Sequence, residues 1–400
     1  MRRFYFDYAA TTPLDPGVFK AMKPYFEARF GNPGSVHSFG QEAIGAIDRA
    51  RERIADTIGA EFQEIIFVSS ATEANNLILK GVVEVWRKKF STVPKIIVSA
   101  IEHESVLAPA RALHNAGLAE VVVLPVSKTG HVDQVALAQS IDGRTALVSV
   151  MYGNNEVGTV QRLAAIKKII DRERDKESLY PLFHTDAVQA FQYREINVRQ
   201  LGVDFLTLSS HKAYGPKGIA TLYARAQSSS SDSSTRYHLS PLLHGGGQEF
   251  GLRSGTEAVP LIVGMAEAIR NAHEIRVRET RRLGELKDFL VTTLLREKKF
   301  NVRVNGARAS ESLPHIVSAS FEKVSSETLL TALDLKGIAV SSGAACSMRS
   351  LEPSYVLQAL GYDASRVRSS VRFSLGRYTT KAEITFLLDT LRSLIPAVRD

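Results

Sequence analysis

The chain has one cysteine and one tryptophan in 400 residues, and no apolar run long enough to cross a bilayer. The single cysteine, Cys346, excludes an internal disulfide and a cysteine-rich zinc site, and no metal ligand set is read elsewhere. No hydrophobic signal region follows Met1-Arg2-Arg3-Phe4-Tyr5-Phe6-Asp7, so the expectation is a cytoplasmic protein that does not enter a membrane. The formal charge is +8 and the isoelectric point about 9.4, yet there is no long basic tract and no basic run interleaved with aromatics. Direct nucleic-acid binding is therefore not expected. An acidic protein partner or an anionic cofactor would be served equally well by such a charge.

What is present is ordinary for a globular protein: 44% hydrophobic and 23% charged residues. The length is enough for a large domain and a smaller one, each with its own core. Short, apolar, β-rich runs occur at residues 64–69, 95–99, 121–124, 145–151, 181–184, 203–208 and 218–223, mostly separated by helical stretches. Runs of that kind suit strands covered on both faces. The pattern predicts an α/β fold with a mostly parallel seven-stranded sheet flanked by helices, over residues 16–260. Residues 1–15 and 261–400 are expected to form a smaller α+β domain, with strand-like runs at 301–305, 315–321, 338–342 and 371–375. Helical patterning covers 38–58, resumes at 259–272 and continues through a charged amphipathic stretch at 276–295. The serine-rich segment 227–235 cannot bury enough surface to order itself and reads as a loop or hairpin tip. There is no internal repeat.

In open α/β sheets, ligands bind beyond the carboxyl ends of the strands. Those ends carry the chemistry here. After the run at 203–208 comes Ser209-Ser210-His211-Lys212-Ala213-Tyr214-Gly215-Pro216-Lys217-Gly218. Lysines mostly sit on solvated faces, whereas Lys212 is ringed by hydroxyls, a histidine and glycines, with Lys217 near enough to depress its pKa. Those are the needs of a Schiff-base lysine, and they point to pyridoxal phosphate. Ser69-Ser70-Ala71-Thr72 opens a helix and offers a phosphate seat, although Ser70 or Thr72 could simply be an N-cap. His103, in Glu102-His103-Glu104, could stack on an aromatic ring or shuttle protons; taken alone it reads as a surface residue. Asn155, in Tyr152-Gly153-Asn154-Asn155-Glu156, could donate to a cofactor oxygen or a carboxylate, or belong to a turn. Asp186 suits a protonated pyridine nitrogen, or caps a helix, and Gln189 lies three residues on.

Two further motifs lie outside this set. His244-Gly245-Gly246-Gly247-Gln248-Glu249-Phe250-Gly251-Leu252-Arg253-Ser254-Gly255-Thr256 lets the backbone approach another surface closely, with Arg253 and Thr256 available to a phosphate, or it is a linker. Cys346 sits in a run of small residues, Ser341-Ser342-Gly343-Ala344-Ala345-Cys346-Ser347, beside Arg349, which could favour its thiolate. Arg372 lies in a strand-like run and could clamp a substrate carboxylate.

From Phe6-Asp7-Tyr8-Ala9-Ala10-Thr11-Thr12 to Ser374-Leu375-Gly376-Arg377, these residues resemble the cysteine desulfurases, class V aminotransferase-like enzymes of pyridoxal-phosphate fold type I. The cysteine run followed by Leu351-Glu352-Pro353-Ser354-Tyr355 is similar to the housekeeping, long-loop branch. The resemblance implies that Lys212 carries the cofactor, His103 stacks over its ring, Asp186 pairs with its nitrogen and Gln189 bonds its ring oxygen. It implies a phosphate site from Ala71, Thr72, Ser209 and His211, with Thr256 supplied by the other subunit of a homodimer. Asn155 and Arg372 would take the substrate carboxylate, and Asn155 would also touch the cofactor. Cys346 would be the nucleophile. The chain departs from the pattern at Ser70, where the phosphate loop usually has glycine, at Ala344 in place of serine, and at Met348-Arg349 in place of small residues.

The implied activity removes sulfur from L-cysteine, giving L-alanine and a persulfide on Cys346. The sulfur then passes to acceptor proteins, such as an iron–sulfur scaffold or enzymes of tRNA thiolation. Alternatives are selenocysteine lyase or another class V reaction, which do not generally need a loop cysteine, and a sulfur-carrier or scaffold subunit with little turnover of its own.

Overall fold

The computed structural model describes residues 3–175, 178–226, 236–343 and 353–399. Cys346 and the serine-rich segment 227–235 lie outside the described residues.

After a short strand β1 (Phe4–Tyr5), seven apolar segments pair into one sheet: β2 (Ile65–Val68), β3 (Lys95–Ser99), β4 (Glu120–Leu124), β5 (Thr145–Ser149), β6 (Leu182–Asp186), β7 (Phe205–Ser209) and β8 (Ala220–Ala224). Their order is β2-β8-β7-β6-β5-β3-β4. Only β8 runs antiparallel to its neighbours, so the other six strands point the same way. Every strand except the edge strand β4 is buried along its whole length, which is why these runs are continuously apolar rather than alternating. One face is covered by helices Ser38–Ile58 and Leu163–Glu173 and the first part of Val259–Arg296. The other is covered by helices Ala71–Phe90 and Glu104–Asn115. No helix among the described residues is long and apolar enough to cross a membrane.

The patterns at 259–272 and 276–295 form one helix of 38 residues, Val259–Arg296. Its first half buries Ile262, Met265 and Ile269 against the large sheet. Its second half buries Leu283, Leu290 and Leu294 in a separate core with Phe321, Phe373 and Leu387. That second core lies on an antiparallel sheet ordered β12-β10-β9, where β9 is Val302–Val304, β10 Ile316–Phe321 and β12 Ser370–Ser374. Strand β1 pairs in parallel with β11 (Ile338–Ala339), so the N-terminus packs on this second core. The following residues then cross to the large sheet. Asp7 bridges Ser374, and the Thr12 N–H and hydroxyl both donate to the His211 carbonyl. Residues 7–12 therefore run across the ends of β7 and β12, where the polar residues collect.

Candidate active site

Because β2, β3, β5, β6 and β7 are parallel, the residues that follow them share one edge of the sheet. Two strands run further than their apolar composition suggests: β6 reaches Asp186 and β7 reaches Ser209. Asp186 is therefore the last residue of a strand and opens no helix. Its Oδ1 accepts from the Val188 N–H at 3.0 Å in the turn that follows.

A continuous hydrogen-bonded network joins Asp186 to His103. Asp186 Oδ2 accepts from Asn75 Nδ2 at 2.9 Å, and the same amide nitrogen donates to Ser105 Oγ at 2.8 Å. Ser105 Oγ lies 2.8 Å from His103 Nδ1. Asn75 Oδ1 in turn accepts from Thr207 Oγ1 on β7 at 2.8 Å, and Thr207 contacts His184, which reaches Ser149. His184 is held neutral: burial lowers its pKa from 6.5 to about 3. Asn75, Ser105 and Thr207 are buried, and none was singled out from the sequence. Asn75 looks there like one more polar residue near the start of a helix. The signal was its spacing: four residues after Ala71, on the face turned to the sheet rather than to solvent.

Lys212 follows β7. Its Nζ donates to the Ala9 and Ala10 carbonyls, both at 2.7 Å. Gln189 Nε2 donates to the same Ala9 carbonyl at 2.9 Å, and Gln189 Oε1 is 3.3 Å from His315 Nε2. His315 is wholly buried against the Tyr193 ring, and burial first, then Lys287, Arg372 and Lys212, drives its pKa well below the ordinary value. The neutral ring must then donate its Nε2–H to the amide oxygen of Gln189. His315 was not anticipated, since only the pairing of β10 with β12 brings it to this edge.

Arg372 projects from β12 and is almost wholly buried. Its Nη2 pairs with Asp7 Oδ1 at 2.7 Å, and Nη1 donates to the Asn155 carbonyl at 2.8 Å and to the Gly343 carbonyl at 3.4 Å. Its Nε is buried with no partner among the described residues. In the Asn-Asn pair, the amide of Asn154 is used internally: Oδ1 accepts from the Glu156 and Val157 N–H groups, and Nδ2 donates to the Ile101 carbonyl. That leaves Asn155 as the half-buried member. Glu156 is buried beside Ser354 Oγ, at 2.5 Å, and burial raises its pKa even though Ser354, Arg372 and His103 oppose the shift. Gly343, at φ 98°, passes so close that a Cβ there would lie 2.8 Å from Glu156 Oε2. Glu102 is also buried, and desolvation pushes its pKa up to about 8.

At the proposed phosphate seat, Ser70 is the N-cap of helix Ala71–Phe90, its hydroxyl accepting from the Glu73 N–H at 3.1 Å. Ala71 is half-buried and Thr72 exposed in the first turn. Ser209 is buried, and His211 Nδ1 contacts Thr11 Oγ1 at 3.0 Å. Burial, then Lys212 and Lys217, lowers the His211 pKa to about 4. Thr256 is exposed on the glycine-rich segment and stands outside this network. That segment is tied to the seat by Arg253 Nε and Glu73 Oε1, 3.0 Å apart. It is anchored from behind by a buried Arg51–Glu249 ion pair at 2.8 Å.

The arrangement matches one donor set. A carboxylate ends β6, a lysine follows the adjacent strand β7, and an imidazole follows β3. A helix N-terminus lies nearby, and the Nε of the buried Arg372 has no partner among the described residues. Pyridoxal phosphate requires those groups: an amine for its aldehyde, an anion for its pyridinium and N–H groups for its phosphate.

The family described as Aminotransferase class-V matches residues 4–387. The chain belongs to this family. It is 44% identical, over its whole length and 96% of the relative's, to "Cysteine desulfurase IscS" of Dictyoglomus turgidum. Its structure is similar to that of a solved "NIFS-LIKE PROTEIN", with a TM-score of 0.89 and 35% identity over 99% of this chain and all of that one. It is also similar to a structure titled "SspA in complex with cysteine", with a TM-score of 0.80 and 34% identity over 95% of this chain and all of that one. Within class V the chain is a member of the cysteine desulfurase group, whose enzymes depend on pyridoxal phosphate.

Proposed function

We propose that this protein is a cysteine desulfurase that carries pyridoxal phosphate on Lys212, takes sulfur from L-cysteine and holds it as a persulfide on Cys346. The observation that carries the reading is the placement of Lys212 and Asp186 at the ends of two paired parallel strands, β7 and β6. Asp186 is fixed there by Asn75 and the Val188 N–H. Bound pyridoxal phosphate supplies an electron sink for the substrate α-carbon. The protein residues do the rest. Asp186 would pair with the ring nitrogen. Lys212 Nζ, in its neutral form, accepts the α-proton. The second hydrogen of Gln189 Nε2 would serve the ring oxygen, and His315 holds that amide in place by donating to its Oε1. Arg372 and Asn155 receive the substrate carboxylate. The Cys346 thiolate attacks the substrate sulfur, so that a sulfur–sulfur bond forms and the carbon–sulfur bond breaks. The electron pair of that bond stays with carbon, which is protonated and leaves as alanine.

Thr256 lies exposed, so it is free to complete the phosphate site of a partner subunit in a homodimer. The persulfide is passed to acceptor proteins of iron–sulfur assembly or tRNA thiolation, and the enzyme acts in the cytoplasm.

The test is incubation with L-cysteine without reductant, with mass spectrometry of Cys346 and an alanine assay, beside Cys346→Ser and Lys212→Ala. Persulfide matched by alanine is expected, both lost in Cys346→Ser. The cofactor absorbance should be lost in Lys212→Ala. Alanine without a Cys346 persulfide would overturn this reading in favour of a lyase. A holoenzyme that yields neither product, even with acceptor proteins added, would also overturn it.

A further inference from the structure

His103 caps helix Glu104–Asn115 with a ring nitrogen rather than a side-chain oxygen. Its Nδ1 accepts from the Ser105 N–H at 3.1 Å. A backbone amide can only donate, so Nδ1 must present a lone pair. Ser105 Oγ lies 2.8 Å from the same nitrogen, and because Nδ1 presents a lone pair the hydroxyl is the donor of that contact; what holds the hydroxyl in this direction is found two contacts away. The Asp186 carboxylate can only accept, so it is the nitrogen of the Asn75 amide that faces it. Thr207 Oγ1, donating to Asn75 Oδ1, confirms that orientation. The two hydrogens of Asn75 Nδ2 are thereby assigned, one to Asp186 Oδ2 and one to Ser105 Oγ. Ser105 Oγ accepts from Asn75 and sends its own hydrogen to His103 Nδ1.

We propose that Asn75 and Ser105 are positioning residues that lock His103 in its Nε2–H tautomer and tie that choice to Asp186. His103 then meets the cofactor ring and substrate as a hydrogen donor from Nε2. Moving the proton to Nδ1 would set it against two donors and remove the helix cap at once. One relay therefore fixes the Asp186 carboxylate and selects the tautomer of the His103 imidazole. The assignment rests on the proposed function only for the identity of the ligand. The tautomer itself belongs to the protein.

The test uses full-length protein labelled with 15N-histidine, as purified and after cofactor removal, in long-range 1H–15N correlation spectra. His103 is assigned by its loss in His103→Gln. The expected result is a protonated Nε2 and an unprotonated Nδ1. Ser105→Ala should lower the tautomer ratio about fivefold, the factor equivalent to one ordinary hydrogen bond. Ser105→Thr should restore it, and Asn75→Ala should move it the same way as Ser105→Ala. A wild-type His103 protonated at Nδ1 would overturn the proposal, and so would a ratio unmoved in both Ser105→Ala and Asn75→Ala. Neither result bears on persulfide formation at Cys346, so the two readings fail separately.

Discussion

Replacing Arg372 by lysine keeps a positive charge but removes the planar fork. In the structure that fork is shared: Nη2 serves Asp7, Nη1 serves the Asn155 and Gly343 carbonyls, and Nε has no partner among the described residues. A lysine ammonium can hold Asp7 or a substrate carboxylate, with only one N–H directed at each. The substitution therefore costs roughly one charge-assisted hydrogen bond to substrate, about 1.5–3 kcal/mol. That corresponds to a fall of about tenfold to a hundredfold in kcat/KM for L-cysteine. The carboxylate is held alike in the ground and transition states, so the loss should fall on KM, with kcat within about threefold. Steady-state alanine production measures both constants. The cofactor absorbance should be unchanged, because Arg372 is expected to touch only the substrate. A variant with KM unaltered and kcat reduced would refute the carboxylate role. So would a variant within about twofold of wild type in kcat/KM.

Glu249→Ala should destabilise the fold by about 3–5 kcal/mol in urea, because it strands a buried Arg51 guanidinium and the Phe67 N–H. Arg51→Met with Glu249→Leu should recover most of that loss, and a cost below about 1 kcal/mol for the single variant would contradict the buried-pair reading. Glu102 has a folded pKa raised from 4.5 to about 8, so the folded state keeps a proton that the unfolded chain releases. Its contribution to stability is full below pH 4.5 and lost progressively up to about pH 8. Glu102→Gln should flatten that loss, so that the difference in unfolding free energy between wild type and variant changes by up to about 1.4 kcal/mol per pH unit across the window. Parallel pH profiles would dispose of the assignment. Gly343→Ala should lower the yield of Cys346 persulfide, because its Cβ would press on Glu156 Oε2, and an unchanged yield would show that the contact is easily relieved.

The parts of the site that follow parallel strands could be read from the sequence. A strand buried on both faces must be apolar, so the first polar residues after it mark its carboxyl end. His103, Asn155, His211 and Lys212 all stand in that position, and Asp186 and Ser209 stand one step earlier, as the last residues of β6 and β7 themselves. Local chemistry likewise marks the cap at Ser70. The sequence by itself therefore determined the α/β layering, the sheet edge that carries the chemistry and the residue types gathered there. The tertiary structure decided which of those residues act together. Asp7 meets Arg372 across 365 positions, and His315 reaches Gln189 across 126. Glu249 meets Arg51 across 198, and Asn75 reaches Asp186 across 111. None of these pairs leaves a periodic or local trace, because hydrogen bonds and ion pairs between distant segments depend on how strands pair and on how the N-terminal segment crosses between two cores. A polar residue on a helix face turned to a sheet looks like any other in the chain. Only the partner it finds when that face is buried makes it part of the site.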